Sequence, residues 1–282
     1  MVKTAVHQHD WVGRREIVTD DVSPVHAASV AALLDDVLVP VAQGDTLPPL
    51  WHWCYFLPRA PQQALAEDGH PMLGGFMPPV PYPRRMFAGA RMSFHAPLHI
   101  GQIAERHGEI RNVAFKTGRS GSLAFVTIGY RIVQNGTVCI DEEQDIVYRE
   151  PGGPVAARIP AEASTLDAGT WSRTLTPDSR MLFRFSALTF NAHRIHYDRD
   201  YATTVEGYRG LVVHGPLIAL LLMALVRAND TRPIARFSFR GVAPLFDGSP
   251  ARLFAIPSSD GAELRAEAAD GSLALQATVG FA

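Results

Sequence analysis

Apolar and polar positions alternate from Val126 through Ile128, Tyr130 and Ile132, the period of two that marks a half-buried strand. Asn135-Gly136 follows, and Thr137 to Tyr148 again reads as strand. An Asn-Gly pair between two such runs is the strongest short-range hairpin signal. Another strand signal begins at Arg91-Met92-Ser93-Phe94. A run of strands closes the chain, at about Ala235–Arg240, Ala251–Ile256, Ala262–Ala269 and Leu273–Phe281. Asp270-Gly271 joins the last two and predicts a second two-residue turn. Helical spacing occurs in two places. Val30, Leu33, Leu34 and Val37 follow Ser23, a plausible N-cap, and Pro24 at the first helical position. Leu217 to Val226 carries no polar side chain. It is too short for a membrane span of about 20 residues, so it reads as a buried helix from about Pro216 to Ala228. The stretch from Pro71 to Pro83 is too proline-rich for helix and reads as an ordered loop. Pro151 to Ala168 has little apolar periodicity and reads as a linker.

The two halves share a faint repeat. Arg91-x-Ser93-Phe94 is followed by Pro97-Leu98-x-x-Gly101, and Arg236-x-Ser238-Phe239 by Pro244-Leu245-x-x-Gly248. Each half then ends in a hairpin. The order suggests a duplicated unit of helix and antiparallel sheet, with the two sheets able to join.

Composition narrows the class. The chain has 282 residues, 47% of them hydrophobic, and a formal charge of −2. That excludes a disordered chain, and the near-neutral balance argues against nucleic acid as a partner. Cys54 and Cys139 stand far apart without a CxxC, so no disulfide framework or zinc ribbon is built from them. The expectation is a reducing, cytoplasmic location. Met1 to Arg15 shows no apolar signal-peptide core, and nothing suggests membrane insertion.

The chemistry concentrates in Phe183 to Asp198, where Asn191, His193, His196, Tyr197 and Asp198 lie close together, and in His214-Gly215-Pro216, which opens the apolar helix. A helix start leaves backbone N–H groups free and carries partial positive charge, so it can face a developing oxyanion. A metal site from His193, His196, Asp198 and His214 lacks a diagnostic spacing, and no metal is assigned. Gly118-Arg119-Ser120-Gly121 lacks the spacing of a nucleophile elbow. No dinucleotide fingerprint or P-loop appears.

The segment Phe185–Asp198, with Leu211-Val212-Val213-His214-Gly215-Pro216-Leu217 downstream, resembles the MaoC-like hydratase/dehydratase family. Within it, the chain is most similar to the type-2 hydroxyacyl-thioester dehydratases and to the mesaconyl-/3-methylfumaryl-CoA and itaconyl-CoA hydratases. The first half contributes Pro48-Pro49-Leu50-Trp51-His52-Trp53, Asp68-Gly69-His70-Pro71, Pro83-Arg84-Arg85-Met86, Lys116 to Gly121 and Glu142 to Arg149. The resemblance implies an α+β double hotdog, two helix-wrapped antiparallel sheets in one chain. It places a non-catalytic hotdog at 1–150, a linker at 151–168 and a catalytic hotdog at 169–282.

The family's acid/base motif runs Asp-x-Asn-Pro-x-His. Here Asn191 stands on the Asp, His193 on the Asn, Arg194 on the Pro and His196 on the His. An Asn cannot take a proton, so His196 becomes the principal proton carrier and Asn191 orients water. Gly215 supplies the N–H for the thioester oxygen, with His214 beside it. The implied reaction is reversible hydration of the C2=C3 bond of an unsaturated branched dicarboxylyl-CoA. It needs no cofactor beyond the CoA of the acyl-CoA substrate. Arg84, Arg85 and Arg194 are the candidates to meet the free carboxylate or the CoA phosphates, and Trp53 to wall the pocket. The alternatives are a fatty-acid-type 3-hydroxyacyl-thioester dehydratase, a hotdog thioesterase and a non-catalytic acyl-CoA-binding protein. A homodimer is compatible with a double hotdog but not required.

Overall fold

The computed structural model describes residues 10–36, 39–118, 121–150, 164 and 167–282. The first half contains β1 (Arg15–Asp20), α1 (Pro24–Leu34), β2 (Arg84–Phe94), β3 (Ala104–Gly118), β4 (Gly121–Gln134) and β5 (Thr137–Arg149). The second contains β6 (Trp171–Leu175), α2 (Ser179–Leu188), α3 (Gly215–Asn229), β7 (Ile234–Gly241), β8 (Ala251–Pro257), β9 (Gly261–Ala268) and β10 (Leu273–Phe281). Of the segment read as a linker, most lies outside the described residues, as does Val37 of the first helical pattern.

All ten strands form one antiparallel sheet in the order β1-β3-β4-β5-β2-β7-β10-β9-β8-β6. Read inward from either edge, the order is the same, with each strand number raised by five. The repeat seen in the sequence is therefore a repeat of topology, the double hotdog. Its axis passes through the repeated motif itself. β2 and β7 pair at the centre of the sheet with Arg91 opposite Ser238, Met92 opposite Phe237 and Ser93 opposite Arg236.

The turns differ from each other. Asn135 (φ 51°) and Gly136 (φ 77°) are both left-handed, the requirement of a tight two-residue hairpin turn. Asp270-Gly271 sits instead in a four-residue loop between Ala268 and Leu273. There the Asp270 carboxylate accepts from the Ser272 backbone N–H at 3.1 Å, so the side chain closes the turn that two backbone residues were expected to close.

α3 is the central helix, with Leu217 to Met223, Leu225 and Val226 all buried. It lies against β6, β8, β9 and β10. The two halves diverge here. α1 follows β1 as α2 follows β6, but among the described residues no α-helix between α1 and β2 corresponds to α3. The double hotdog thus carries α1 in its first half and both α2 and α3 in its second. Five prolines between Pro71 and Pro83 bar a helix there. The loop covers the sheet instead, with Val80, Leu73, Phe76, Met77 and Tyr82 on Ile110, Val126, Ile128, Ile146 and Tyr148. Cys54 and Cys139 are free and buried, and burial pushes the Cys54 thiol up to about 12.

The acidic run near Glu142 contains a buried charge with a structural task. The Glu142 carboxylate accepts from Trp53 Nε1 at 2.7 Å, from Gln144 Nε2 at 2.7 Å and from His52 Nε2 at 3.1 Å. Burial opposes its ionisation, but the hydrogen bonds and charge of His52, with Gln144 and Trp53, outweigh that and hold its pKa below the ordinary value. A depressed carboxylate stabilises the fold above its unfolded pKa of about 4.3, and that contribution is lost as pH falls through the folded value. Glu142→Gln leaves donors facing an amide, so urea unfolding at pH 7 should show a loss of about 3–5 kcal/mol, the usual effect of breaking a buried pair. The variant's stability should also fall less steeply than that of the parent below about pH 4.3. Parallel acid slopes would remove Glu142 from this role.

Candidate active site

The site begins where α2 ends. Asp178 caps the start of α2 by accepting from the Met181 N–H at 2.9 Å. At the other end Phe190 turns left-handed (φ 48°). The Phe190 N–H then donates to Ala187 O at 3.3 Å and the Asn191 N–H to Ser186 O at 2.9 Å. These two bonds make a Schellman closure, with a phenylalanine where glycine is usual. Asn191 Oδ1 accepts the His193 N–H at 3.0 Å. That bond fixes the amide orientation, because only the oxygen can accept, and leaves Nδ2 as the donor for a ligand. A single 3-10 turn, Arg194–His196, then carries the chain inward.

His196 is buried, with Nδ1 2.7 Å from the Val212 carbonyl. A carbonyl only accepts, so Nδ1 bears the hydrogen and Nε2 holds the lone pair. Burial lowers the His196 pKa to about 4; the Val212 bond opposes the shift and the charge of His70 adds to it. Nε2 is therefore an unprotonated acceptor across the neutral range. The ring stacks on His214 with centroids 3.5 Å apart. His214 is buried, and its Nε2 lies 2.9 Å from Ser186 Oγ of α2. Burial first, then the charges of His196 and His193, hold it well below the ordinary histidine range. His214 thus backs His196 and is the residue before the first turn of α3. There the N–H groups have no intrahelical acceptor. β2 is bulged between Phe87 and Gly89 and runs past this end. A Cβ built on Gly215 would lie 3.9 Å from the Phe87 carbonyl.

The first half inserts a loop into the same place. Gly69 (φ 92°) packs so closely on the second half that a Cβ there would fall 1.8 Å from the Ala192 carbonyl oxygen. Arg194 N–H donates to Asp68 O at 2.9 Å. His70 Nδ1 lies 2.8 Å from Asp68 Oδ2, and its N–H donates to Asp68 Oδ1 at 3.0 Å. The His70 ring centroid is 4.1 Å from that of His193, which is 5.3 Å from that of His196. Asp68, His70 and His193 bring potential ligand atoms within 4.8 Å of one another. Both carboxylate oxygens of Asp68 are already engaged by His70, so the set is closed on itself as a hydrogen-bonded pair. Asp198 turns away from it to Arg194.

The three arginines fare differently. Arg84 Nε is 3.0 Å from Glu206, and Arg194 Nη2 is 2.8 Å from Asp198 with its guanidinium over the Tyr201 ring. Arg85 makes no ion pair among the described residues. Its charge acts on His70, His193 and Asp68. It stands opposite Tyr148 across β2 and β5, and the Tyr148 hydroxyl is buried without a hydrogen-bond partner among the described residues. Trp53, Phe87 and Phe239 form an edge-to-face trio with centroids 5.4–5.9 Å apart, close to the Gly215 end of α3. A separate concavity of about 1290 Å³ elsewhere on the sheet contains none of these histidines. Its Arg91 pairs with Glu143 and Asp145.

A family model for hydroxyacyl-thioester dehydratase type 2 matches residues 50–247. The chain belongs to this family. Its match spans the first-half loop as well as the His196 segment. Among individual relatives, mesaconyl-C(4)-CoA hydratase of Chloroflexus aurantiacus is 61% identical over 95% of this chain and 96% of its own length. The mitochondrial hydroxyacyl-thioester dehydratase type 2 of Schizosaccharomyces pombe is 29% identical over 75% of this chain and 78% of its own. A Mycobacterium tuberculosis protein described as a double hotdog fold superposes with a TM-score of 0.62 at 13% identity, covering 98% of each chain. That last likeness concerns the fold.

Within this chain of the type-2 dehydratase family, the candidates named from the sequence, Asn191, His196, His214 and Gly215, lie together between the end of α2 and the start of α3. Sequence reasoning singled out no function for Asp68 and His70. Their only signal was the motif Asp68-Gly69-His70-Pro71, whose glycine proves to be the docking point.

Proposed function

We propose that the chain reversibly hydrates the C2=C3 bond of a branched dicarboxylyl-CoA of the mesaconyl-C(4)-CoA type. The observation that carries this reading is the 61% identity to mesaconyl-C(4)-CoA hydratase over 95% of the chain. In such a substrate C3 bears a methyl group and a free carboxylate, and the thioester activates C3 toward water. His196 Nε2 takes a proton from a water held with Asn191 Nδ2, and the water oxygen bonds to C3. Electron density moves to the thioester oxygen, where the Gly215 N–H and the positive end of α3 stabilise the enolate. Protonation at C2 completes a 3-hydroxyacyl-CoA of the citramalyl type. Atoms balance with water alone, and no electrons are transferred. Arg85, half-buried and without an ion-pair partner among the described residues, meets the carboxylate on C3. The Trp53–Phe87–Phe239 trio walls the acyl and pantetheine side.

The test is hydration of mesaconyl-C(4)-CoA, itaconyl-CoA and crotonyl-CoA, followed as loss of enoyl-thioester absorbance. A charged hydrogen-bonded contact is worth about 1.5–3 kcal/mol. The kcat/KM for the preferred dicarboxylate should therefore exceed that for crotonyl-CoA by roughly tenfold to a hundredfold. Equal turnover of crotonyl-CoA would favour the fatty-acyl dehydratase reading. Release of free thiol without loss of the double bond would favour a thioesterase.

A further inference from the structure

We infer that Asp68 and His70, contributed by the N-terminal half, form the second proton carrier of the site, with His70 Nε2 delivering the proton to C2. This rests on the hydratase reading above. Hydration needs a group to receive a proton from water and a source for the proton that reaches C2. Asn191 stands where the family motif has a carboxylate and cannot supply one. The first half brings to this place a carboxylate paired with an imidazole, Asp68 with His70; Glu206 and Asp198 are paired with arginines instead.

Three independent observations converge on the pair. The first is contact: Gly69 seats directly on the Ala192 carbonyl, one residue from Asn191, and the Asp68 carbonyl accepts the Arg194 N–H. The fold thereby clamps the loop from the first half onto the motif of the second. The second is geometry within the pair. Asp68 takes His70 Nδ1 at 2.8 Å, which fixes the tautomer and leaves Nε2 as the free nitrogen. Burial first, with the Arg85 charge, lowers the His70 pKa, and the Asp68 bond and charge oppose that shift. A substrate carboxylate on Arg85 offsets the Arg85 contribution, so that His70 can take up the proton it delivers. The third is position: the His70 ring lies 4.1 Å from His193, itself 5.3 Å from His196. The two carriers therefore flank one imidazole instead of standing in separate clefts.

The step is balanced. The water O–H bond breaks, its proton goes to His196 Nε2, and its oxygen bonds to C3. The imidazolium of His70 gives its Nε2 proton to C2, and the C2–H bond forms as the enolate collapses. The protein is left with His196 protonated and His70 neutral, and one proton transferred from the first to the second resets it. In dehydration, neutral His70 removes the C2 proton.

The experiment uses the full chain and the variants His70→Gln and Asp68→Asn. Gln retains a donor for Asp68 but cannot carry a proton. The expected result for His70→Gln is a kcat for mesaconyl-C(4)-CoA lower by about 10²–10⁴-fold, with KM within threefold. In dehydration of the hydroxyacyl-CoA deuterated at C2, the primary isotope effect should rise in His70→Gln and in Asp68→Asn, a shift that a purely structural clamp would not produce. A folded His70→Gln within fivefold of the parent kcat, or one with an unchanged isotope effect, overturns the assignment. So does activity lost on chelation and restored by a divalent cation, which would make the pair a metal-binding set. Those results leave the parent enzyme a hydratase. A parent inert toward every enoyl-CoA removes the reaction itself, and with it this step.

Discussion

Exchange of His196 for Asn is expected to yield a folded protein whose kcat for hydration is lower by about 10²–10⁴-fold, the usual contribution of a positioned proton carrier. Asn is the informative replacement. Its amide nitrogen falls near the position of Nδ1 and can keep donating to the Val212 carbonyl, now held at 2.7 Å. The loop retains its anchor while the Nε2 lone pair disappears, together with the ring on which His214 stacks. Ala would in addition leave that buried carbonyl without a donor, at a cost of about 1–3 kcal/mol. Thermal melting checks the fold, and steady-state kinetics with mesaconyl-C(4)-CoA read kcat. Retention of more than a tenth of the parent kcat by the folded variant would take His196 out of the mechanism. The parent's own pH profile follows the same logic. A pKa lowered to about 4 keeps the basic form dominant above that pH. Protonation of His196 should therefore depress kcat/KM near pH 4, with no break at about 6.5 from this group.

The part of the candidate site legible in the sequence is the part built from neighbours in the chain. Asn191 and His196 lie on one turn-and-coil segment, and His214 with Gly215 opens a helix whose apolar run announces it. The same holds for the strands. β8 and β10 are bounded to within a residue in the sequence because each is a short apolar run set off by turn residues, whereas β3 carries Glu105, His107, Glu109 and Arg111 on its more exposed positions and gives no clear signal. The duplicated motif was legible because it marks the pairing of β2 with β7. Two features were not. The proline-rich segment reads as an ordered loop, but it has no periodic pattern, so nothing local indicates that it packs on the first-half sheet. Asp68 and His70 are more than a hundred residues from His193, and only the docking of Gly69 on Ala192 brings them together.

With the second proton carrier we propose, the division of labour between the halves changes. A first half that only shaped the pocket would need side chains facing the acyl group, the part proposed for Trp53 and Phe87. It would not need a hydrogen-bonded Asp–His pair beside the motif of the other half. The missing helix fits the same picture. Among the described residues there is no counterpart of α3 between α1 and β2, and so no second such helix start to face a thioester oxygen. The first half has instead a long loop free to carry Asp68–His70 and to lead into Arg85.

Arg85→Met should separate recognition of the acid from the chemistry. Met keeps an unbranched stem of similar reach and removes the charge. Truncating one side of a desolvated, hydrogen-bonded charge pair costs about 2–5 kcal/mol. The kcat/KM for mesaconyl-C(4)-CoA should accordingly fall by roughly 10²–10³-fold. Crotonyl-CoA, which has no carboxylate, should be turned over as well as before or better. Arg85→Lys should recover part of the loss, since it restores the charge but not the two-pronged geometry. Arg84→Met is the matched comparison. Arg84 is held by Glu206 at 3.0 Å with both side chains largely buried, so its loss should lower stability and affect both substrates alike. Removal of Arg85 has a second consequence with a definite sign. Its positive charge helps to depress the pKa values of His70 and His193, so both should rise in the variant and be visible by NMR titration of the imidazoles. Parallel losses on mesaconyl-C(4)-CoA and crotonyl-CoA would mean that Arg85 serves the CoA moiety common to both. A carboxylate-selective loss accompanied by upward histidine shifts would put the substrate's acid group and the proton carriers on the same side of the double bond, as addition of water at the carboxylate-bearing C3 requires.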